Sequence, residues 1–268
     1  MAAFLRCFRF VTVNKIYTTE ITSAALTSDT PVHLRLLAPY LKAAAWVHGN
    51  LLEVGCGEGR GIEHVLPAVA SYTAIDKIEG AIAELRQRFP AAKFVAGHLP
   101  PLPFADNSFD ALISFQVIEH IEDDGFFLRE LHRVLRPGGV ALVTTPNRKL
   151  TLSRNPWHVR EYLAGELLQL ARGVFAHAEM KGIAGNEKVM AYHEENRKSV
   201  QRIMRWDVLD LQHRLPAGLL KIPYEILNRW NRNKLYAGTA TARAITAGDY
   251  FVSDEAENAL DLFLIARK

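Results

Sequence analysis

The chain has 268 residues and a formal net charge of +3, with 49% hydrophobic and 23% charged residues. This composition is typical of a globular domain with an insertion and excludes disordered and collagen-like classes. The two cysteines, Cys7 and Cys56, exclude a disulfide framework, so we expect a reducing, cytoplasmic environment. No apolar run approaches the roughly 20 residues that cross a bilayer.

The first predicted helix follows an irregular start. Residues 1–30 lack strong periodicity and mix arginine into a short apolar run, which is not typical of a signal peptide, so we interpret them as an N-terminal arm. Residues 29–31, Asp-Thr-Pro, form a helix-start pattern, and apolar residues at helical spacing follow. His33 and Arg35 lie on this helix, and we expect both at the surface.

A short apolar run at 51–54 leads into a turn that contains Gly55, Gly57, Gly59 and Gly61. An amphipathic stretch follows the turn. Strand, glycine turn and helix open a nucleotide-binding α/β unit, because glycine adopts positive φ and lets a ligand contact bare backbone. Glycines also occur in such turns for steric reasons alone, so both interpretations stay open at this point.

Strands and helices alternate along the rest of the chain. Strands are predicted at 50–54, 71–76, 92–96, 109–115, 139–145, 174–183 and 260–267, and helices at 58–69, 78–89, 123–135 and 161–171. This alternation predicts a doubly wound parallel sheet. The stretch 185–255 is too long for a hairpin and shows helical patterns at 187–205, 207–214 and 218–232, so we predict a helical insertion.

Further motifs accompany the glycine turn. Asp76 ends the second strand, where a carboxylate accepts hydrogen bonds from ribose hydroxyls. Residues 102–108 form a turn before the fourth strand, and Leu-Arg-Pro-Gly-Gly at 135–139 leads into the fifth. In this order and at these intervals, the motifs resemble the class I S-adenosylmethionine-dependent methyltransferases, in particular the group that acts on small molecules. The resemblance covers about residues 32–183 and the last strand.

The resemblance implies an α/β fold with a Rossmann-like, doubly wound, seven-stranded sheet that is mostly parallel. The last strand is expected to be antiparallel and to lie beside the sixth. The methyltransferase core is expected at 31–184 and 256–268, with the helical insertion or lid at 185–255 between the last two strands. The resemblance also implies S-adenosyl-L-methionine as the cofactor.

Ligands of such sheets bind at the carboxyl ends of the parallel strands. The resemblance implies that Gly55 and Gly57 approach the methionine and ribose portion, and that Asp76 holds the ribose hydroxyls. His98 stands where the family usually has an acidic residue for the adenine amino group, so a neutral imidazole or the backbone of Leu99 is expected there. The predicted cofactor-binding residues are Glu53, Gly55, Cys56, Gly57, Asp76, Lys77, Ile78, His98, Leu99 and Gln116.

Methyl transfer to a hydroxyl or amine requires a base with a pKa near neutrality, which favours histidine. His158 follows the fifth strand, and Glu161 three residues later lies close enough to orient its imidazole if a helix has begun. Alternatively, His158 packs and Glu161 favours a helix N-terminus. His120 resembles a family position that serves as a base in some members and is structural in others. The predicted catalytic residues are therefore His158, His120 and Glu161. No metal site is predicted, because the sequence shows no His/Asp/Glu cluster with ligand spacing.

Positive charge is concentrated in residues 148–234, which contain 16 Lys and Arg against 9 Asp and Glu, whereas the remainder carries a net −4. This asymmetry indicates either a solvated helical surface or a basic rim that attracts an anionic substrate. The charge is modest for a nucleic-acid partner. We therefore predict a methyltransferase that methylates O or N of an anionic or amphipathic small molecule. An RNA or protein methyltransferase, and a non-catalytic binding subunit, are the alternatives.

Overall fold

The computed structural model describes residues 27–268 except 208 and 239. The N-terminal arm predicted at 1–30 therefore lies outside the described residues, apart from 27–30. The predicted helix start is confirmed, since α1 (Thr30–Ala43) begins after Asp29 with a proline in its first turn. The Asp29 side chain does not cap this helix. It binds Arg229 and Arg232 instead, at 2.7 and 3.1 Å.

All strands of the described chain join one sheet, in the order β3-β2-β1-β4-β5-β8-β6-β7. The strands are β1 (Asn50–Val54), β2 (Ser71–Asp76), β3 (Lys93–Ala96), β4 (Phe109–Phe115), β5 (Leu135–Pro146), β6 (His177–Gly185), β7 (Tyr250–Ser253) and β8 (Asp261–Arg267). Strands β1 to β5 are parallel. Strand β8 lies antiparallel between β5 and β6, and β7 is antiparallel to β6.

The doubly wound, mostly parallel sheet and its antiparallel last strand beside the sixth are confirmed, but the prediction of seven strands is wrong. The eighth strand is β7, which lies inside the segment predicted as a purely helical insertion. Its sequence, Tyr-Phe-Val-Ser, does not alternate apolar and polar residues, so it lacks the pattern that indicates a half-buried strand. The helical insertion consequently lies between β6 and β7 rather than between the last two strands. Gly185 at the end of β6 pairs directly with Tyr250 at the start of β7.

The remaining helices are α2 (Ile62–Val65), α3 (Glu79–Arg88), α4 (Asp124–Val134), α5 (Ala164–Arg172), α6 (Glu187–Met204), α7 (Leu211–Arg214), α8 (Ala217–Gly238) and α9 (Ala240–Ala244). The helix predicted at 58–69 is much shorter, because its first residues belong to the glycine turn and Pro67 follows α2 within a 3₁₀ turn. The helix predicted from 161 begins at Ala164, since Tyr162 bridges to Asn147 instead. None of the helices in the described ranges combines the length and apolarity needed to cross a membrane.

Apolar residues are buried on both faces of the sheet, as a parallel sheet with helices on both sides requires. Along β1, Leu51 belongs to the core on one face and Leu52 to the core on the other, and neither is accessible to solvent. Helix α1 covers the first face, where the Tyr40 ring packs edge-on against Phe115 at 4.8 Å. Packing on both faces of the sheet holds the strands in place, so the carboxyl ends of β1, β2, β4 and β5 lie along one edge.

Candidate active site

The four glycines after β1 have different structural roles. At Gly55, Gly59 and Gly61, an added Cβ would come within 2.5 Å of a neighbouring side chain. These three positions therefore need glycine for packing. Gly57 has φ +51°, and a Cβ there would meet no protein atom within 4 Å. Only this part of the turn combines a glycine backbone with open space, as close approach of a ligand requires.

Asp76 joins the glycine turn to the next strand. Its Oδ2 accepts a hydrogen bond from the Gly57 backbone N–H at 2.7 Å, and its Oδ1 accepts one from Ile78 at 2.9 Å. The side chain is buried at the end of β2. Each carboxylate oxygen has more than one acceptor site, so both oxygens keep capacity for the two hydroxyls of a ribose. The open backbone beside this carboxylate fits an adenosyl group.

Glu53 lies beneath the turn and is only 1% exposed. It accepts hydrogen bonds from the hydroxyls of Tyr40, at 2.7 Å, and Tyr72. Burial raises the pKa of Glu53 to about 7, the nearby Asp76 charge acts in the same direction, and the two hydroxyls oppose the shift. Glu53 thus connects α1 to β1 and β2. Cys56 is also buried, and burial raises the pKa of its thiol.

The other predicted cofactor residues follow β2, β3 and β4, whose carboxyl ends lie at the same edge of the sheet. Lys77 is exposed and Ile78 half-buried directly after β2. His98 is exposed and Leu99 half-buried after β3. Gln116 follows β4 with φ +60°. The topology therefore brings the predicted set to one edge of the sheet, and their contacts with a cofactor stay predictions.

Arg35 and Asp261 form part of this edge and were missed by sequence reasoning. The Arg35 Nε donates to Asp261 Oδ2 at 2.6 Å, and its Nη2 pairs with Oδ1 of the same carboxylate. Gln116 Nε2 donates to Asp261 at 3.4 Å. The expectation that Arg35 lies at the surface is wrong, because its side chain is 25% exposed and bound to a buried carboxylate. The two partners are 226 residues apart, and no local pattern reveals such a pair.

His158 and Glu161 form the contact that their spacing predicts, although no helix has begun there. The Glu161 carboxylate accepts from His158 Nδ1 at 2.6 Å and from the Thr151 hydroxyl at 2.5 Å. Burial alone would raise the pKa of Glu161, but these hydrogen bonds outweigh it and the net shift is downward. His158 Nε2 accepts from the Asn155 amide at 2.7 Å. The charged carboxylate thus holds the proton on Nδ1 and leaves the lone pair on Nε2.

A cleft of about 400 Å³ opens beside His158. Arg148, Arg154 and Arg160 from the segment after β5 line it, together with Gln212 and His213 at α7 of the insertion. The cleft therefore lies between the sheet edge and the insertion. Its positive lining is the structural counterpart of the charge asymmetry in the sequence.

His120 lies directly against His158. It ends the 3₁₀ turn Ile118–His120, and its Nδ1 donates to the Trp157 carbonyl at 2.9 Å. The Glu119 carbonyl accepts from Val159 N–H at 2.7 Å, which fixes the two segments together. The two imidazole rings consequently meet edge to face, with centroids 5.1 Å apart.

The sequence shows no metal-ligand spacing, but the fold brings three candidate metal ligands together. Glu119, His120 and His158 each place a ligand atom within 4.8 Å of the others. The Glu119 side chain is 1% exposed. Burial raises its pKa, and the neighbouring histidines oppose this shift. The cluster escaped detection because its third member lies on a separate loop, far along the chain.

Comparison with known protein families gives a match to the part of the chain that contains the glycine turn and Asp76. Residues 52–143 match the model of the family described as "Methyltransferase domain". This segment belongs to the methyltransferase domain family. The resemblance to class I S-adenosylmethionine-dependent methyltransferases is thereby confirmed, and with it the cofactor that the family implies.

Curated relatives match about half of the chain. A probable S-adenosylmethionine-dependent methyltransferase of Mycolicibacterium smegmatis is 43% identical over 127 residues, which cover 45% of this chain and 49% of the relative. The phthiotriol/phenolphthiotriol dimycocerosates methyltransferase of Mycobacterium leprae is 33% identical over 145 residues, 52% of each chain. The chain thus spans about half the length of the curated relatives it matches.

A solved structure matches over a longer stretch than either relative. It is a methyltransferase of Thermotoga maritima described as a possible histamine N-methyltransferase, with a TM-score of 0.57 and 16% identity. The match covers 90% of this chain and 92% of that one, so the fold extends beyond the methyltransferase domain itself. At this identity the likeness concerns the fold alone.

Proposed function

We propose that this protein transfers a methyl group from S-adenosylmethionine to a hydroxyl or amine of a small molecule. The observation that carries the proposal is the open Gly57 backbone hydrogen-bonded to Asp76. The His158–Glu161 pair lies along the same edge of the sheet, beside the polar cleft. One edge therefore offers a place for the adenosyl group and a base for the acceptor.

The cofactor supplies an activated methyl group on a sulfonium, which is a good leaving group. The chain's own residues bind and align the reactants. Asp76 accepts from the ribose hydroxyls, and the Gly57 backbone lets the nucleoside lie close to the turn. An acceptor in the cleft gives its proton to His158 Nε2 once the Asn155 amide has turned away. Glu161 holds the Nδ1 proton and stabilises the imidazolium that forms.

The arginines of the cleft and the exposed apolar side of α8 together favour an anionic or amphipathic acceptor. The arginines that line the cleft favour negative charge. On α8, the apolar side chains of Leu219, Ile222, Ile226 and Trp230 are more than half exposed. Their spacing places them on one side of the helix, an arrangement suited to an alkyl or aromatic portion of the acceptor. The name of the relative from Mycobacterium leprae refers to a lipid acceptor, which supports the same class.

Calorimetric titration with S-adenosylmethionine tests the proposal. We expect 1:1 binding to the unmodified chain and a loss of about 100-fold or more for Asp76→Ala, because two hydrogen bonds to a charged acceptor contribute about 1.5–3 kcal/mol each. Asp106→Ala, which removes an exposed carboxylate, is the matched control and should bind normally.

An acceptor screen with a labelled methyl donor follows the titration. We expect label in small anionic or amphipathic molecules. Cofactor binding without label in any acceptor, or no cofactor binding at all, would favour the non-catalytic subunit. Label confined to RNA or protein would favour the other enzymatic alternatives.

A further inference from the structure

The cluster formed by Glu119, His120 and His158 has the composition of a metal site. Two imidazoles and one carboxylate are ligands that Zn²⁺ and similar divalent transition-metal ions bind. Each residue contributes one ligand atom, and the three atoms lie within 4.8 Å of one another. Nitrogen and oxygen ligands of a tetrahedral ion at about 2.1 Å lie roughly 3.4 Å apart. Side-chain rotations that move the ligand atoms by about an ångström therefore bring all three to bonding distance of one ion.

Both imidazoles are already held in the tautomer that a metal requires. Nδ1 of His158 faces the Glu161 carboxylate, and Nδ1 of His120 donates to the Trp157 carbonyl. Each Nε2 therefore carries a lone pair. Metal-bound histidines nearly always donate their other N–H to a carboxylate or backbone carbonyl in this way, which fixes the ring and raises its basicity. In this cluster, His158 donates to a carboxylate and His120 donates to a backbone carbonyl.

The carboxylate of the cluster, Glu119, is buried, and a cation bound beside it would compensate its negative charge. Glu119 is 1% exposed, and its Oε2 accepts from the buried Thr145 hydroxyl at 3.0 Å. A neutral hydroxyl compensates a buried negative charge only in part. Asn155 now donates to His158 Nε2, and this hydrogen bond between neutral groups is the one that a metal ion would replace.

From this geometry we infer that Glu119, His120 and His158 bind one divalent transition-metal ion such as Zn²⁺, with its open coordination positions directed at the cleft. Three protein ligands leave room for an oxygen of the acceptor, as in catalytic zinc sites. His158 lines the cleft, so the ion lies at its wall. In the metal-loaded protein His158 Nε2 binds the ion and no longer accepts a proton; the ion would instead lower the pKa of a bound acceptor hydroxyl, whose proton would pass to solvent. The ion would therefore select an acceptor that carries a hydroxyl. This second step rests on the proposed function, whereas metal binding does not.

Cobalt binding to the tag-free full chain tests the site without any cofactor or acceptor. After treatment with a chelator, titration with Co²⁺ should give one equivalent of tight binding and visible absorption bands of a four- or five-coordinate ion. His120→Ala and the near-isosteric Glu119→Gln should each weaken Co²⁺ binding by more than 100-fold. Glu161→Gln, which among the three ligands contacts only His158, should weaken it about 10–100-fold. His64→Ala, which removes an exposed histidine on α2, is the matched control and should bind normally.

The folded state of each variant is checked by its circular dichroism and its affinity for S-adenosylmethionine. If folded His120→Ala and Glu119→Gln bind Co²⁺ as the unmodified chain does, or if the unmodified chain binds none, the metal site is overturned while the proposed methyl transfer stands. If Co²⁺ binds as expected and S-adenosylmethionine does not, the proposed function fails and the metal site stands. Preference for hydroxyl over amine acceptors, abolished by chelation and restored by Zn²⁺, would support the acceptor step, and equal use of both would refute it.

Discussion

Replacement of Glu53 by glutamine should change how the stability of the protein depends on pH. The carboxyl is 1% exposed, and its pKa rises from 4.5 to about 7 in the folded chain, chiefly through burial. Between these values the unfolded chain carries a charged Glu53, whereas the folded chain carries a protonated one. The folded state therefore binds more protons, and the free energy of unfolding falls as pH rises through this window.

The magnitude follows from the size of the shift. One pKa unit corresponds to 1.36 kcal/mol, so ionisation of Glu53 costs the folded state about 3 kcal/mol by pH 8. Glutamine keeps hydrogen-bonding capacity toward Tyr40 and Tyr72 and stays neutral. Between pH 5 and pH 8, Glu53→Gln should therefore lose about 2.5 kcal/mol less stability than the unmodified chain.

Urea unfolding followed by tryptophan fluorescence, at several pH values from 5 to 8, measures this difference. Other titrating groups are common to both proteins and cancel in the comparison. Glu63→Gln changes an exposed carboxyl on α2 and should leave the pH dependence unaltered. Parallel stability curves for Glu53→Gln and the unmodified chain would refute the assignment of this titration to Glu53.

Four further substitutions separate cofactor binding, glycine packing, chemistry and the buried ion pair. Gly57→Ala should weaken S-adenosylmethionine binding more than 10-fold by calorimetry and cost only about 1–2 kcal/mol of backbone strain. Gly61→Ala should instead lower the melting temperature sharply, because its Cβ would overlap the Tyr40 ring. The opposite pattern would contradict the roles assigned to these two glycines. His158→Ala should lower kcat about 10²–10⁴-fold in the methyl-transfer assay with unchanged cofactor affinity, and an unaltered kcat would place the base elsewhere. Arg35→Met should destabilise the chain by about 3 kcal/mol in urea unfolding, because it leaves a buried carboxylate unpaired, and a loss below 1 kcal/mol would show that the pair contributes little.

Much of the architecture was predictable because it depends on local pattern. Its position at the end of β2 predicts that Asp76 lies near the glycine turn, and in the structure it accepts a hydrogen bond from Gly57 at 2.7 Å. The spacing of His158 and Glu161 also predicted their pairing, although a loop rather than a helix brings them together. In these cases the decisive residues lie in one segment or at the ends of neighbouring strands.

The rest depended on partners that no local pattern connects. Arg35 was expected at the surface because its partner, Asp261, lies on a strand near the end of the chain. The metal-ligand cluster joins a turn after β4 to a loop after β5, so neither segment alone shows it. Strand β7 does not alternate apolar and polar residues, and its partner β6 lies far back along the chain, so no local pattern connects the two.

Because Gly185 pairs directly with Tyr250, the insertion leaves the sheet and returns to it at the same point. Asn186 and Asp249 extend this contact outward by one residue on each side, with a backbone hydrogen bond of 2.9 Å. Because the entropy of closing a loop grows only slowly with its length, this hairpin tolerates helical segments of very different size. We therefore expect the segment that borders the cleft to vary in length and sequence between relatives, so that acceptor range diverges while the strands that bear the glycine turn stay unaltered.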